Sequence, residues 1–174
     1  MDLRAYIRDI PDFPQPGIVF RDITPLLLRA DALDYTVDLL ARYTEQLDVD
    51  YVVSAEARGF ILGGAIARAL GAGFVPARKP GRLPAETVTS GQYALEYGLD
   101  ALHMHADALS GGARVLVHDD LLATGGTAAA MCELVERAGA EVVGCAFVIE
   151  LAFLHGRDRL DGRNVRSLVV YEEE

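Results

Sequence analysis

Cysteine is scarce in this chain: Cys132 and Cys145 are the only two among 174 residues, which argues against a disulfide-built scaffold. Both fall in segments patterned as a helix and a strand, so they read as small apolar core residues in a reducing cytoplasm. No basic stretch followed by an apolar run opens the sequence, and no signal peptide is expected. Long apolar runs are lacking too. The richest, 60–77 and 142–154, are broken by Arg68 and Glu150, so no membrane span is expected. Positive charge is in short supply: 16 Lys and Arg stand against 26 Asp and Glu, a net −10 that argues against nucleic acid or an anionic membrane as partner. The same charge would repel an anionic substrate unless cations are placed locally. Arg58, Arg78, Lys79 and Arg82 are so placed, in two short segments, and Lys79 is the sole lysine beside fifteen arginines.

What is present reads as alternating strands and helices. At 51% hydrophobic, the chain can bury one sizeable core, and a single domain over 1–174 is expected. A capped helix starts near Asp31, with Leu33, Val37, Leu40 and Ala41 on one face. Short apolar strands are expected at 51–53, 73–77, 115–117, 141–149 and 167–171, with helices at 58–70 and 127–138. Such a series builds an α/β fold, a central and mainly parallel sheet flanked by helices. Two regions break the pattern. Residues 1–25 are not βαβ and carry three prolines and a glycine between Pro11 and Gly17; residues 79–98 form a long stretch of little periodicity, a length that signals a lid or a disordered segment. The histidines carry no assigned role. His103 and His105 read as helical, where positions i and i+2 do not share a face, so a metal pair is not expected. His155 reads as a loop residue, and His118 as facing a core layer.

The most informative segment is VLVHDDLLATGGT, from Val115 to Thr127. An apolar strand ends at an acidic pair, Asp119 and Asp120, followed by a glycine turn and a helix. Ligands of open α/β sheets sit at the carboxyl ends of strands, so chemistry is expected here. Gly125 and Gly126 let backbone N–H groups approach an anion closely, Thr124 and Thr127 add hydroxyl donors, and the helix directs its positive end to the same spot. The loop has neither GxxxxGK[ST] nor GxGxxG, which argues against a nucleoside-triphosphate P-loop or a dinucleotide fingerprint. Carboxylates beside a phosphate nest accept from vicinal hydroxyls and can hold a hydrated Mg²⁺. Phosphate at one end and diol acceptors a strand-end away describe a ribose 5-phosphate. A turn that merely caps a helix is the competing reading of TGGT alone; strand, acidic pair, TGGT and helix in strict order favour the site.

This segment resembles the phosphoribosyl-pyrophosphate (PRPP) motif of the type I phosphoribosyltransferases. PDFPQPGIVFRDITPLL (Pro11 to Leu27), EARGF (Glu56 to Phe60), RKPGRLP (Arg78 to Pro84) and LEYG (Leu95 to Gly98) narrow the resemblance to the adenine phosphoribosyltransferase family, in that family's order and over nearly the whole chain. One departure is an extra residue of about one position near Ser90-Gly91, which leaves the placement of Tyr93 open while LEYG fixes Glu96.

The resemblance implies the type I phosphoribosyltransferase fold with a small N-terminal hood at about 1–30 and a mobile catalytic loop at about 79–98. It implies transfer of 5-phosphoribose from PRPP to adenine, giving AMP and pyrophosphate in purine salvage, with Mg²⁺ as cofactor, in a cytoplasmic homodimer. Glu96 is then the acid/base residue. Asp119, Asp120, Ala123, Thr124, Gly125, Gly126 and Thr127 take the ribose and its 5-phosphate. Glu56, Ala57, Arg58, Arg78, Lys79 and Arg82 face pyrophosphate, with a cis Glu56–Ala57 peptide. Val19 and Arg21 read adenine through their backbone, and Phe20 and Leu121 sandwich the ring. No residue is expected to bind the metal directly; Mg²⁺ arrives on PRPP, water-bridged at most to Asp119 and Asp120. The alternatives are a phosphoribosyltransferase for another purine and a non-catalytic PRPP-sensing regulator. Glu96 and the absence of a basic extension argue against the regulator.

Overall fold

A computed structural model describes residues 1–91, 93–95 and 98–173, with backbone only for the strand residues between 93 and 100. The chain begins with a hairpin, β1 (Arg8–Pro11) and β2 (Val19–Asp22), followed by a short α1 (Thr24–Leu27) and the long α2 (Ala30–Thr44). Then come β3 (Tyr51–Ala55), α3 (Arg58–Leu70), β4 (Gly73–Ala77) and four short strands: β5 (Thr87–Thr89), β6 (Tyr93–Leu95), β7 (Gly98–Asp100) and β8 (His103–His105). The chain closes with β9 (Arg114–Leu122), α4 (Gly126–Arg137), β10 (Glu141–Leu151) and β11 (Val165–Tyr171). Five strands form a parallel sheet in the order β11-β10-β9-β3-β4, as the alternating pattern requires.

Alternation along these strands divides the core in two. Val52, Leu116, Ala146 and Val148 pack with Leu40 of α2 and Leu62 and Ile66 of α3. Val53, Val115, Val117 and Phe147 pack with Met131, Leu134 and Val135 of α4. A sheet buried on both faces needs such continuous apolar strands. From β3 the chain crosses outward to β4, and from β9 it crosses the other way to β10. The carboxyl ends of β3 and β9 therefore flank the point where the winding reverses, the position at which doubly wound sheets bind ligands.

Two glycines set the height of α3 over the sheet. A Cβ on Gly63 would stand 2.1 Å from Ser54 Oγ, and one on Gly59 would stand 2.7 Å from Asp119 Oδ1. Spaced one helical turn apart, they let the helix start directly above the acidic pair. The helix ends where Gly71 adopts a left-handed φ of 67° and returns its N–H to the Ala67 and Arg68 carbonyls.

Several expectations need correction. β9 continues through Leu122, so Asp119 and Asp120 lie within the strand, because β10 pairs alongside as far as Leu122. Asp31 does not cap α2: Arg29 holds the cap position without a side-chain bond, and Asp31 is ion-paired to it at 2.9 Å. The buried stripe of α2 includes Thr36 and Thr44, whose hydroxyls donate to the Ala32 and Leu40 carbonyls at 2.7 and 3.1 Å. His103 and His105 lie in β8, paired with β5, and share a strand face that a helix would have denied them. No group of three or more His, Cys, Asp or Glu suited to a metal ion occurs among the described residues. Cys132 and Cys145 are buried free thiols with sulfurs 3.8 Å apart. No described helix is long and apolar enough to cross a membrane.

Candidate active site

One cavity of about 340 Å³ opens beside the end of β9. Its wall brings together three separate parts of the sequence: Val19, Phe20 and Arg21 from the hairpin, Arg58 from the start of α3, and Asp119 to Thr127 from β9 and the glycine turn. Gly125 turns the chain at a left-handed φ of 80°, and α4 starts at Gly126. The first-turn N–H groups of a helix have no partner within it, so this end of α4 presents donors to the cavity.

The acidic pair is asymmetric. Asp120 is buried, whereas Asp119 is half-buried and its Oδ1 accepts the Asp120 N–H at 3.0 Å. Burial, and then the neighbouring Asp120 charge, push the Asp119 carboxyl well above the usual carboxylate range. Asp120 Oδ2 receives Arg58 Nε at 2.5 Å. The same guanidinium lies 4.9 Å from the centre of the Phe20 ring, so Arg58 engages both the acidic pair and the aromatic wall.

The remaining cations stand outside the cavity wall, organised by Glu56. Its Oε1 accepts the Lys79 N–H at 2.6 Å and its Oε2 accepts Arg78 Nη2 at 3.0 Å. Burial alone would raise the Glu56 carboxyl, but the Lys79 N–H and the Arg78 guanidinium hold it below its ordinary value. Arg78 also donates to the Arg82 carbonyl at 3.1 Å. Glu56 therefore acts as a bracket for RKPGR. The Glu56–Ala57 peptide is cis, as expected, and so is Phe13–Pro14.

In the hairpin, β2 pairs on one edge with β1 and has no second strand partner among the described residues. Phe20 packs edge-on against Phe13, with ring centres 5.3 Å apart. The Arg21 side chain points elsewhere: it pairs with Asp9 at 2.6 Å and lies 4.2 Å from the Tyr171 ring centre. Asp22 accepts Thr24 N at 2.9 Å and Arg8 Nη2 at 2.6 Å. The charged residues of FRDITP thus tie the two hairpin strands and the start of α1 together, and Arg21 reaches the sheet through Tyr171. At the other end, α4 holds the middle of the 79–98 stretch: Glu133 accepts the Gly91 N–H at 2.8 Å, and Arg137 donates to the Thr89 carbonyl at 2.7 Å. Glu96 lies outside the described residues.

Sequence reasoning did not single out Phe13, Ile18 or Leu151, which also line the cavity. Leu151 ends β10 next to β9, so the rule that sites gather at strand ends would have found it. Nothing in the sequence distinguishes Phe13 beyond its place between prolines.

Residues 33–169 match the phosphoribosyl transferase domain family. The chain is 58% identical over 172 residues to the adenine phosphoribosyltransferase of Gloeobacter violaceus, covering 98% of this chain and 100% of that one. The crystal structure of adenine phosphoribosyltransferase from Thermoanaerobacter pseudethanolicus superposes with a TM-score of 0.94 at 49% identity, covering 98% of both chains. The Giardia lamblia APRTase complexed with 9-deazaadenine does so with a TM-score of 0.93 at 35% identity, covering 99% of this chain and 97% of that one. The fold is that of the type I phosphoribosyltransferases, and the chain belongs to the adenine phosphoribosyltransferase family.

Proposed function

We propose that the chain transfers the 5-phosphoribosyl group of PRPP to adenine, forming AMP and pyrophosphate in purine salvage. The observation that carries this reading is the meeting, in one cavity at the reversal point of the sheet, of an open strand edge, an acidic pair and a glycine turn on a helix start.

The 5-phosphate is taken by the turn Ala123 to Thr127, and the ribose hydroxyls by Asp119 and Asp120. Adenine lies between Phe20 and Leu121, with its amino group and N1 read by main-chain groups of Val19 and Arg21. Pyrophosphate is received by the Glu56–Ala57 turn, Arg58, Lys79, Arg78 and Arg82. In the reaction the C1′–O bond to pyrophosphate breaks, the C1′–N9 bond forms, and the proton lost from the purine's imidazole ring passes to Glu96. The guanidiniums stabilise the departing charge as it develops. Residues 79–98 exclude the water that would otherwise hydrolyse PRPP.

The donor set here fits Mg²⁺ carried by PRPP. Asp120 is already paired with Arg58, and Asp119 is a half-buried carboxyl shifted toward its neutral form, so this pair would hold the hydrated ion through water. When bound, the ion would neutralise part of the pyrophosphate charge.

A homodimer is part of the same proposal. β4 forms one edge of the sheet, and Phe74 on it and Ile61 on α3 are exposed apolar side chains, with Phe60 edge-on to Phe74 at 5.7 Å. A second copy covers this face, and Phe74→Glu should shift sedimentation from dimer toward monomer; an unchanged sedimentation coefficient refutes that arrangement. The cytoplasm is the proposed compartment, in keeping with two buried free thiols.

The test is direct. Wild-type protein with adenine, PRPP and Mg²⁺ should release AMP and pyrophosphate in equal amounts, and Glu96→Gln should lower kcat by ~10²–10⁴ with PRPP affinity retained. Binding of PRPP without turnover would favour a regulator.

A further inference from the structure

The segment Ala152–Leu160 carries none of the chemistry assigned above, yet it forms the underside of the glycine turn. A short 3-10 turn, Ala152–Leu154, leads into His155 at a left-handed φ of 54°, and a second, Gly156–Leu160, follows. Gly156 is buried, and positive φ among glycines is confined to other positions, so its backbone angle does not require glycine. Space does. A Cβ on Gly156 would stand 2.1 Å from the Ala123 carbonyl oxygen and 2.8 Å from the Gly125 nitrogen. In return, a Cβ on Gly125 would stand 2.3 Å from the Gly156 carbonyl oxygen. Two stretches of main chain are thus in contact with no side chain between them.

The residue after Gly156 fastens this contact to the sheet. Arg157 donates from Nε and Nη2 to the Glu150 carboxylate at 2.9 and 2.5 Å, and from Nη1 to the Val165 carbonyl at 3.1 Å. Glu150 is buried near the end of β10 and also accepts Ser167 Oγ–H at 2.5 Å. A bidentate guanidinium–carboxylate pair is rigid in both distance and plane, so it fixes where the segment lies.

We infer that Gly156, held in place by the Arg157–Glu150 fork, is a positioning residue for the 5-phosphate turn. It sets the height of the Ala123–Gly125 backbone, so that the amides converge on the phosphate, without itself lining the cavity. The inference rests on the reading that this turn binds the 5-phosphate. A side chain at position 156 meets the backbone oxygen of Ala123, one residue past the end of β9, where no rotamer relieves the overlap, so the turn itself must shift.

AMP and adenosine differ only in the 5-phosphate, so the ratio of their dissociation constants isolates its contribution. Calorimetry on wild type should show strong preference for AMP. Gly156→Ala should reduce that preference at least about tenfold while adenosine affinity stays within about twofold. Arg157→Lys keeps the charge but loses the fork, and should move the ratio the same way by a smaller factor; it decides the matter if Gly156→Ala does not fold. A ratio unchanged in the folded variants overturns the inference, as does equal weakening of both ligands. A wild-type protein with no preference for AMP overturns the phosphate assignment itself, and the inference with it.

Discussion

Arg58 Nε lies 2.5 Å from Asp120 Oδ2, with its guanidinium resting on the Phe20 ring. The cation proposed for pyrophosphate thus bridges the groups proposed for ribose and base. PRPP must exchange this ion pair for its own contacts, and the exchange also uncovers Phe20. Arg58→Ala should therefore raise the KM for PRPP about tenfold or more without weakening adenine binding. Isothermal titration with each ligand separates the two; loss of adenine affinity in the variant would show that the Phe20 face is not the base site.

Glu56 makes a different kind of prediction, because its carboxylate carries the wrong sign for a pyrophosphate ligand. As a bracket for the Arg78 side chain and the Lys79 amide, it should matter through geometry. Glu56→Gln keeps the size but weakens both charge-assisted bonds, and kcat/KM for PRPP should fall about tenfold. Product inhibition by pyrophosphate should weaken in parallel, while thermal stability stays close to wild type. Stronger pyrophosphate inhibition in the variant would mean that Glu56 acts by repulsion.

His118 gives the pH prediction. It is fully buried between β3 and β10, and burial pushes its imidazole down to about 4 even though its Nδ1 sits 2.8 Å from the Ala146 carbonyl. The unfolded chain takes up this proton near the ordinary value of about 6.5, and the folded chain does so only near 4. Stability from this group is therefore present above about 6.5 and is lost as pH falls toward 4, by about 2 kcal/mol at pH 5. Asp119 acts in the opposite sense, because a carboxyl held above its ordinary value stabilises at low pH and loses that contribution as pH rises through its folded pKa. The readout is accordingly the difference between wild type and His118→Asn in urea unfolding at pH 7.5 and pH 5. A difference that does not change with pH refutes the buried neutral imidazole.

The parallel sheet was legible because its strands are buried on both faces and leave uninterrupted apolar runs, as in 115–117 and 141–149. The helix at Arg58–Leu70 matched residue for residue, since Gly71 ends it by a purely local device. Legibility failed where polar residues sit inside elements. Asp119 and Asp120 marked the end of a strand by composition, yet β10 continues the pairing past them. Thr36 and Thr44 hide the true stripe of α2, because their hydroxyls are satisfied by the helix's own carbonyls. β8 was misread because three residues are too few to separate alternation from helical spacing. Within the site, RKPGR was visible as charge, but its dependence on Glu56 was not, since that contact spans more than twenty residues of sequence.

Base choice tests the central claim most directly. An open edge of β2 that meets adenine's amino donor and N1 acceptor leaves buried polar groups unpaired with hypoxanthine or guanine, whose six-position reverses the pattern. With PRPP and Mg²⁺ held constant, kcat/KM for adenine should exceed that for either competitor by at least ~10³-fold. Comparable rates of AMP and IMP formation would contradict the assignment of Val19 and Arg21 as readers of adenine, and with it the proposed reaction.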